Sequence, residues 1–163
     1  MLGSLNCQPC VGPLYNWMFS SYSLNPTTRN HGTSGDVVFD AEGLVYSISS
    51  INSGLITILK QSMVGAKLLE ASYGAVTGAL PVTVISGAKY CPNNGENIYI
   101  AGHSKGLSIT GNSGTYNIFL HAVKIADLST IFTKHWGLDG VNQDDFAFGI
   151  TINPDGGKIL VTG

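Results

Sequence analysis

The residues with the clearest chemical potential lie in Gly102-His-Ser-Lys-Gly106, a G-x-S-x-G pattern that follows the apolar run Asn97-Ile-Tyr-Ile-Ala101. In a nucleophile elbow of this spacing the serine sits on a sharp strand-to-helix turn. The helix N-terminus and neighbouring backbone N–H groups then stabilise an oxyanion. Ser104, Asp127 and His135 also occur in the chain order nucleophile, acid, base. The residues after the serine are Leu107-Ser-Ile-Thr-Gly-Asn-Ser-Gly114, rich in glycine and β-branched types and without the apolar period of a helix. The elbow therefore lacks the element that makes it work. Ser104 is expected to be an ordinary strand residue whose change to alanine leaves stability and activity nearly unaltered.

Metal and redox chemistry fare no better. Cys7-Gln-Pro-Cys10 has C-x-x-C spacing, but zinc needs four ligands, and Cys91 and the four histidines offer no second pair at suitable spacing. The two cysteines read as the tail of a preceding cysteine-containing segment, and Cys91 as a small buried apolar residue. Asp139, Asn142, Asp144 and Asp145 carry the hard oxygen ligands that calcium prefers, yet their spacing departs from a calcium loop. A solvated loop whose aspartates cap backbone N–H groups is the expectation. His31, His103, His121 and His135 are scattered, and each is expected to be structural. No catalytic, cofactor-binding or metal-ligating residue is expected, and no cofactor.

The elements that would position any of these residues are repeated. Asp36–Ser49, Lys89–Gly102 and Ile150–Gly163 each read as an apolar strand, a Gly-centred turn and a second apolar strand. A third strand ending in Lys follows twice, as Leu55–Lys60 and Ile118–Lys124. A fourth strand then ends in an aromatic before glycine, as Leu68–Tyr73 and Thr130–Trp136. Trp17–Tyr22 looks like another copy of that fourth strand. The intervals Tyr22 to Gly43, Tyr73 to Gly95 and Trp136 to Gly157 are 21, 22 and 21 residues. A period of about 50 to 60 residues points to propellers, solenoids or arrays, and four-stranded units around a circle are propeller blades. Tyr73 and Trp136 are expected at equivalent buried positions, with Trp136→Ala costing about 3–5 kcal/mol. Exposed, they would form a sugar-binding platform instead.

Over Asn94-Gly-Glu-Asn-Ile-Tyr-Ile-Ala-Gly-His-Ser104, Tyr116–Lys124 and Phe132–Gly137 the pattern resembles the SBBP-type β-propeller repeats. The resemblance covers roughly 17–163, about two and a half repeats. Asn117 stands where the family usually has Asp, and Ser49 where it has Gly. It implies an all-β, partial β-propeller with four-stranded antiparallel blades, a fragment of a larger extracellular or cell-surface repeat protein. The expected organisation is a segment 1–13, tail of a cysteine-containing module or linker, and an incomplete propeller over 14–163. Its units lie at about 35–74 and 86–137, with partial units at both ends.

Composition agrees with a β architecture and bounds the partners. Charged residues make up 11% of the chain and glycine contributes 21 residues, against about 25% charged in ordinary domains. A net charge of −2 with eight Lys and Arg, none clustered, gives no footprint for nucleic acid. No stretch approaches the roughly 20 apolar residues of a membrane span. Residues 1–13 lack the basic start and uninterrupted apolar run of a secretory signal. The expected role is a structural or protein-interaction module whose partners are proteins or further repeats of its own chain. The alternatives are a self-assembling fibre subunit and an esterase using Ser104. Open strand edges at 17–22 and 150–162 are expected to drive self-association.

Overall fold

The computed structural model describes residues 35–50, 55–74, 82–105, 115–137, 144–153 and 155–163. Among these the chain is all-β, with one short 3-10 turn and no α-helix. Strands β1 (Gly35–Phe39), β2 (Val45–Ser50), β3 (Ile56–Gln61) and β4 (Lys67–Tyr73) form one antiparallel sheet in sequential order. Strands β5 (Val82–Cys91), β6 (Asn97–Lys105), β7 (Asn117–Lys124) and β8 (Thr130–Trp136) form a second. Strands β9 (Gly149–Ile152) and β10 (Ile159–Thr162) pair as a hairpin. Cys7, Cys10, Trp17–Tyr22, His31, Asp139 and Asn142 lie outside the described residues.

Turn chemistry sets the registers. In the β1–β2 turn, Asp40 Oδ1 accepts from the backbone N–H groups of Glu42 and Leu44, both at 2.9 Å, and Gly43 takes φ 81°. Asp40 Oδ2 accepts from the Tyr46 hydroxyl at 2.9 Å, so one carboxylate pins the turn to the second strand. Gly95 at φ 75° and Gly156 at φ 73° occupy the same left-handed position in the other two hairpins. The sequence spacing had placed the third of these at Gly157. The β9–β10 turn is one residue longer than the β1–β2 turn, and Asn153, which opens it, accepts from Lys158 N–H at 2.7 Å. The second unit also begins earlier than expected, at Val82.

Period-two alternation gives each sheet two faces. One face of the β1–β4 sheet, with Tyr46, Ile48, Ile56 and Ile58, packs on Ile98, Ile100, Phe119 and Val123 of the β5–β8 sheet. The opposite face of that second sheet, with Tyr99, Ala101, Leu120 and Ala122, packs on Ile150, Ile152, Ile159 and Val161 of the β9–β10 hairpin. First strands meet first strands: β1 lies along β5, and β5 along β9. Polar links reinforce these seams. Ala88 N–H donates to Asp36 Oδ2 at 2.8 Å, Lys60 Nζ to the Ile125 carbonyl at 2.9 Å, and Ser86 Oγ to the Ala147 carbonyl at 2.6 Å.

The pairing makes positions in successive units equivalent, and their exposures differ in an ordered way. Tyr46, Tyr99 and Leu160 share one position, with 0%, 3% and 59% exposure. The first two are covered by the next unit; Leu160, in the last described unit, is not. Phe39, Tyr90 and Ile152 share another position, and there the first residue is the open one, at 60%. Tyr73 and Trp136 are likewise equivalent, since each ends the fourth strand of its sheet and pairs with an isoleucine near the start of the third, Ile56 or Ile118.

Candidate functional site

The G-x-S-x-G serine is buried inside a sheet. Ser104 has 0% exposure and lies 2.9 Å from Thr83 Oγ1, with Thr83 on one flanking strand and Asn117 on the other. Asp127 sits in the β7–β8 turn, where hydrogen bonds from the Ser129 hydroxyl and, at 2.9 Å, from the Ser129 backbone N–H hold its carboxyl below the ordinary range. That turn is at the far end of β7 from the Asn117 pair, roughly 20 Å away at strand rise. His135 is on the exposed outer strand β8. The three residues are not brought together. The Ser104 hydroxyl thus has a buried side-chain partner across the strand pair, which its change to alanine would remove.

Two histidines are structural in different ways. His121, mid-β7, is enclosed at the seam between the two large sheets. Its Nδ1 is 2.8 Å from Thr133 Oγ1, and the Tyr73 ring lies 4.5 Å away, centroid to centroid, tilted 57°. Its Nε2 is buried without a partner, and desolvation lowers its pKa to about 4. Tyr73 completes the contact by donating its hydroxyl to the Leu128 carbonyl at 2.5 Å. Burial raises the Tyr73 phenol well above its ordinary value. His103 packs edge-on against Phe146 at 5.0 Å and Tyr116 at 5.6 Å, with Lys105 Nζ 6.0 Å over the Tyr116 ring. Burial lowers the His103 pKa, partly offset by a hydrogen bond with the Ala147 backbone. This aromatic cluster was not foreseen, because Tyr116 and Phe146 stand outside the strand pattern that flagged the other aromatics.

Cys91 is buried against Tyr99 and Ile150, as a small apolar residue is. A side chain at Gly156 would meet its sulfur at 2.8 Å. Asp144 Oδ1 accepts from Tyr116 N–H at 2.9 Å, the capping role expected of that loop. Among the described residues no group of three or more His, Cys, Asp or Glu side chains is placed to hold a metal ion.

Two concavities accompany the seams. A small pocket of about 140 Å³ lies at the turn end of the first seam, between Asp40, Glu42, Lys60, Tyr90 and Glu96. A larger groove of about 590 Å³ runs between β10 and the outer half of the β5–β8 sheet. Its walls are Ile118, Phe132, Trp136, Leu160 and Val161, with Lys134 at the rim over the Phe132 ring. Trp136, expected to be buried, is 47% exposed here. The reason is local. Tyr73 is covered by β7 of the next sheet, whereas β9–β10 supplies only the first two strands of cover for Trp136.

A scan against protein-family models finds no family that matches this chain, and a search of curated proteins finds no relative. Among the described residues no helix is long and apolar enough to cross a membrane.

Proposed function

We propose that this chain is part of a β-propeller of SBBP type that serves as a non-enzymatic structural or protein-interaction module of an extracellular or cell-surface protein. The observation that carries the reading is the graded exposure of equivalent positions. Tyr46 and Tyr99 are covered by the following unit, and their counterpart Leu160 is open. Leu160 thus has the character of a seam residue awaiting a further unit, which is how a repeat with two apolar faces behaves. Sequential four-stranded meanders that meet along their first strands are compatible with blades around an axis. The extracellular assignment rests on the family resemblance. The buried state of Ser104 and the separation of Asp127 and His135 from it weigh against the esterase alternative.

The test is electron microscopy of the longest natural polypeptide that contains this sequence. Discs with a central channel are the expected particles. Rods that lengthen with protein concentration would refute the ring and favour a fibre subunit.

A further inference from the structure

From the outer strands of the two four-stranded sheets we infer a built-in guard against edge-to-edge assembly. A β-bulge at the same place in β4 and β8 breaks the row of outward backbone groups, so that neither outer edge takes another strand. The inference goes beyond the module reading and holds whether or not the units close into a ring.

Pairing places the two bulges at equivalent positions. In the first sheet the register shifts at Lys60 and Gln61, which face Leu69 and Lys67 and leave Leu68 unopposed. In the second it shifts at Ala122 and Val123, which face Phe132 and Thr130 and leave Ile131 unopposed. Lys60 and Ala122 are themselves equivalent, because they pair with Tyr46 and Tyr99. The two extra residues both carry exposed apolar side chains. Among the described residues β4 and β8 pair with no further strand.

The phase of each ladder tells what the bulge does. Ser62 N–H donates to the Ala66 carbonyl at 2.9 Å, and Lys124 N–H to the Ser129 carbonyl at 3.0 Å. Pairs along an antiparallel ladder alternate between bonded and open. Lys67 and Thr130, one step on, therefore turn their N–H and C=O groups outward. Past the bulge the outward residues are Glu70 and Ser72 in β4, and Thr133 and His135 in β8. Ser72 and Thr133 meet the facing side chains of Thr57 at 3.1 Å and His121 at 2.8 Å, the close approach of open pairs. An added strand needs outward groups two residues apart, yet Lys67 to Glu70 and Thr130 to Thr133 are each three. The row is broken there, and in β4 Gly74 at φ 89° follows directly after the strand. The Lys67–Glu70 ion pair spans the break and sets both charges on that edge. Short, bulged and charged edges resist pairing with another chain.

The test compares the whole chain with versions lacking Leu68, Ile131 or both. Either deletion joins the flanking pairs, Gln61↔Lys67 to Lys60↔Leu69 or Val123↔Thr130 to Ala122↔Phe132, with no change of register. Sedimentation and electron microscopy should find most of the doubly deleted chain in polymers at concentrations where the wild type stays in solution. Leu68→Thr combined with Ile131→Thr keeps the bulges, removes the apolar groups and should behave as the wild type. Adding Ser72→Pro and His135→Pro to the double deletion should return it to solution, because each proline removes an outward N–H. A doubly deleted chain that is folded by circular dichroism and sediments no more than the wild type overturns the inference. So do polymers of the threonine variant, and polymers that survive the prolines. One measurement needs no variant to fold. Hydrogen exchange at the Glu70, Ser72, Thr133 and His135 amides of the wild type should stay fast as its concentration is raised, and protection that grows with concentration overturns the guard.

Discussion

Lowering the pH from 7 to 4 should loosen the seam between the two large sheets, because His121 must take up a proton there. Its neutral ring fits: Nδ1 meets Thr133 Oγ1, and Tyr73 covers the face. Its charged ring does not fit, since Nε2 has no acceptor and little water. The ordinary histidine pKa of 6.5 falls to about 4 in the folded protein. The unfolded chain therefore binds more protons between these values, and stability rises with pH across that window. The histidine costs nothing above pH 6.5 and weakens the fold progressively as pH falls towards 4. At about 1.36 kcal/mol per unit, the loss is about 2 kcal/mol at pH 5 and about 3 kcal/mol at pH 4. His103 shifts in the same direction and adds to the fall. Urea unfolding monitored by tryptophan fluorescence at several pH values measures the slope. His121→Leu, which installs the residue type found at the equivalent Leu59 of β3, should remove most of it. Two results would refute the reasoning: wild-type stability constant within about 0.5 kcal/mol from pH 7 to 4.5, or a Leu variant that keeps the full slope.

The other substitutions test burial. Ser104→Ala should cost about 1–2 kcal/mol, the usual consequence of stripping a buried hydroxyl from its partner, and an esterase assay should show nothing to lose; a neutral change would mean that Thr83 finds another partner at no cost. Trp136→Ala should cost less than about 1.5 kcal/mol in the free chain, whereas Tyr73→Ala at the equivalent covered position should cost about 3–5 kcal/mol; equal losses in chemical denaturation would contradict the difference in cover. Gly102→Ala should be among the most damaging small changes, because the added carbon falls 2.2 Å from the Val84 carbonyl oxygen and 2.8 Å from the Phe119 ring; normal thermal unfolding of that variant would show that the backbone relaxes there.

Much of the strand plan could be read from the chain. The hairpins at 36–49 and 150–163, the third strands, and the fourth strands ending at Tyr73 and Trp136 appear where apolar alternation and turn residues put them. The equivalence of Tyr73 with Trp136 also follows from the pairing. What alternation cannot say is whether a face is covered. It marks Phe132, Lys134 and Trp136 as one face of β8, but cover depends on strands of another unit, and so Trp136 was misjudged. Gly157 was favoured over Gly156 because interval counting assumes equal turns, and the β9–β10 turn is one residue longer than the β1–β2 turn. Ser104 was read as inconsequential because a motif search weighs what surrounds a serine in sequence. Its sheet partners, Thr83 and Asn117, stand 21 and 13 residues away.

Hydrogen bonding between strands runs within each sheet, while neighbouring sheets are joined by side-chain packing and a few polar links such as Ala88 to Asp36 and Tyr73 to Leu128. Under a stretching force this is an arrangement of compliant elements in series. Tension enters each four-stranded sheet at its first and last strands, where backbone hydrogen bonds break one after another instead of all at once. The sheets would therefore give way individually and at low load, lengthening the chain in steps. A protein built this way would absorb a pull by yielding part of its length before any covalent bond is strained.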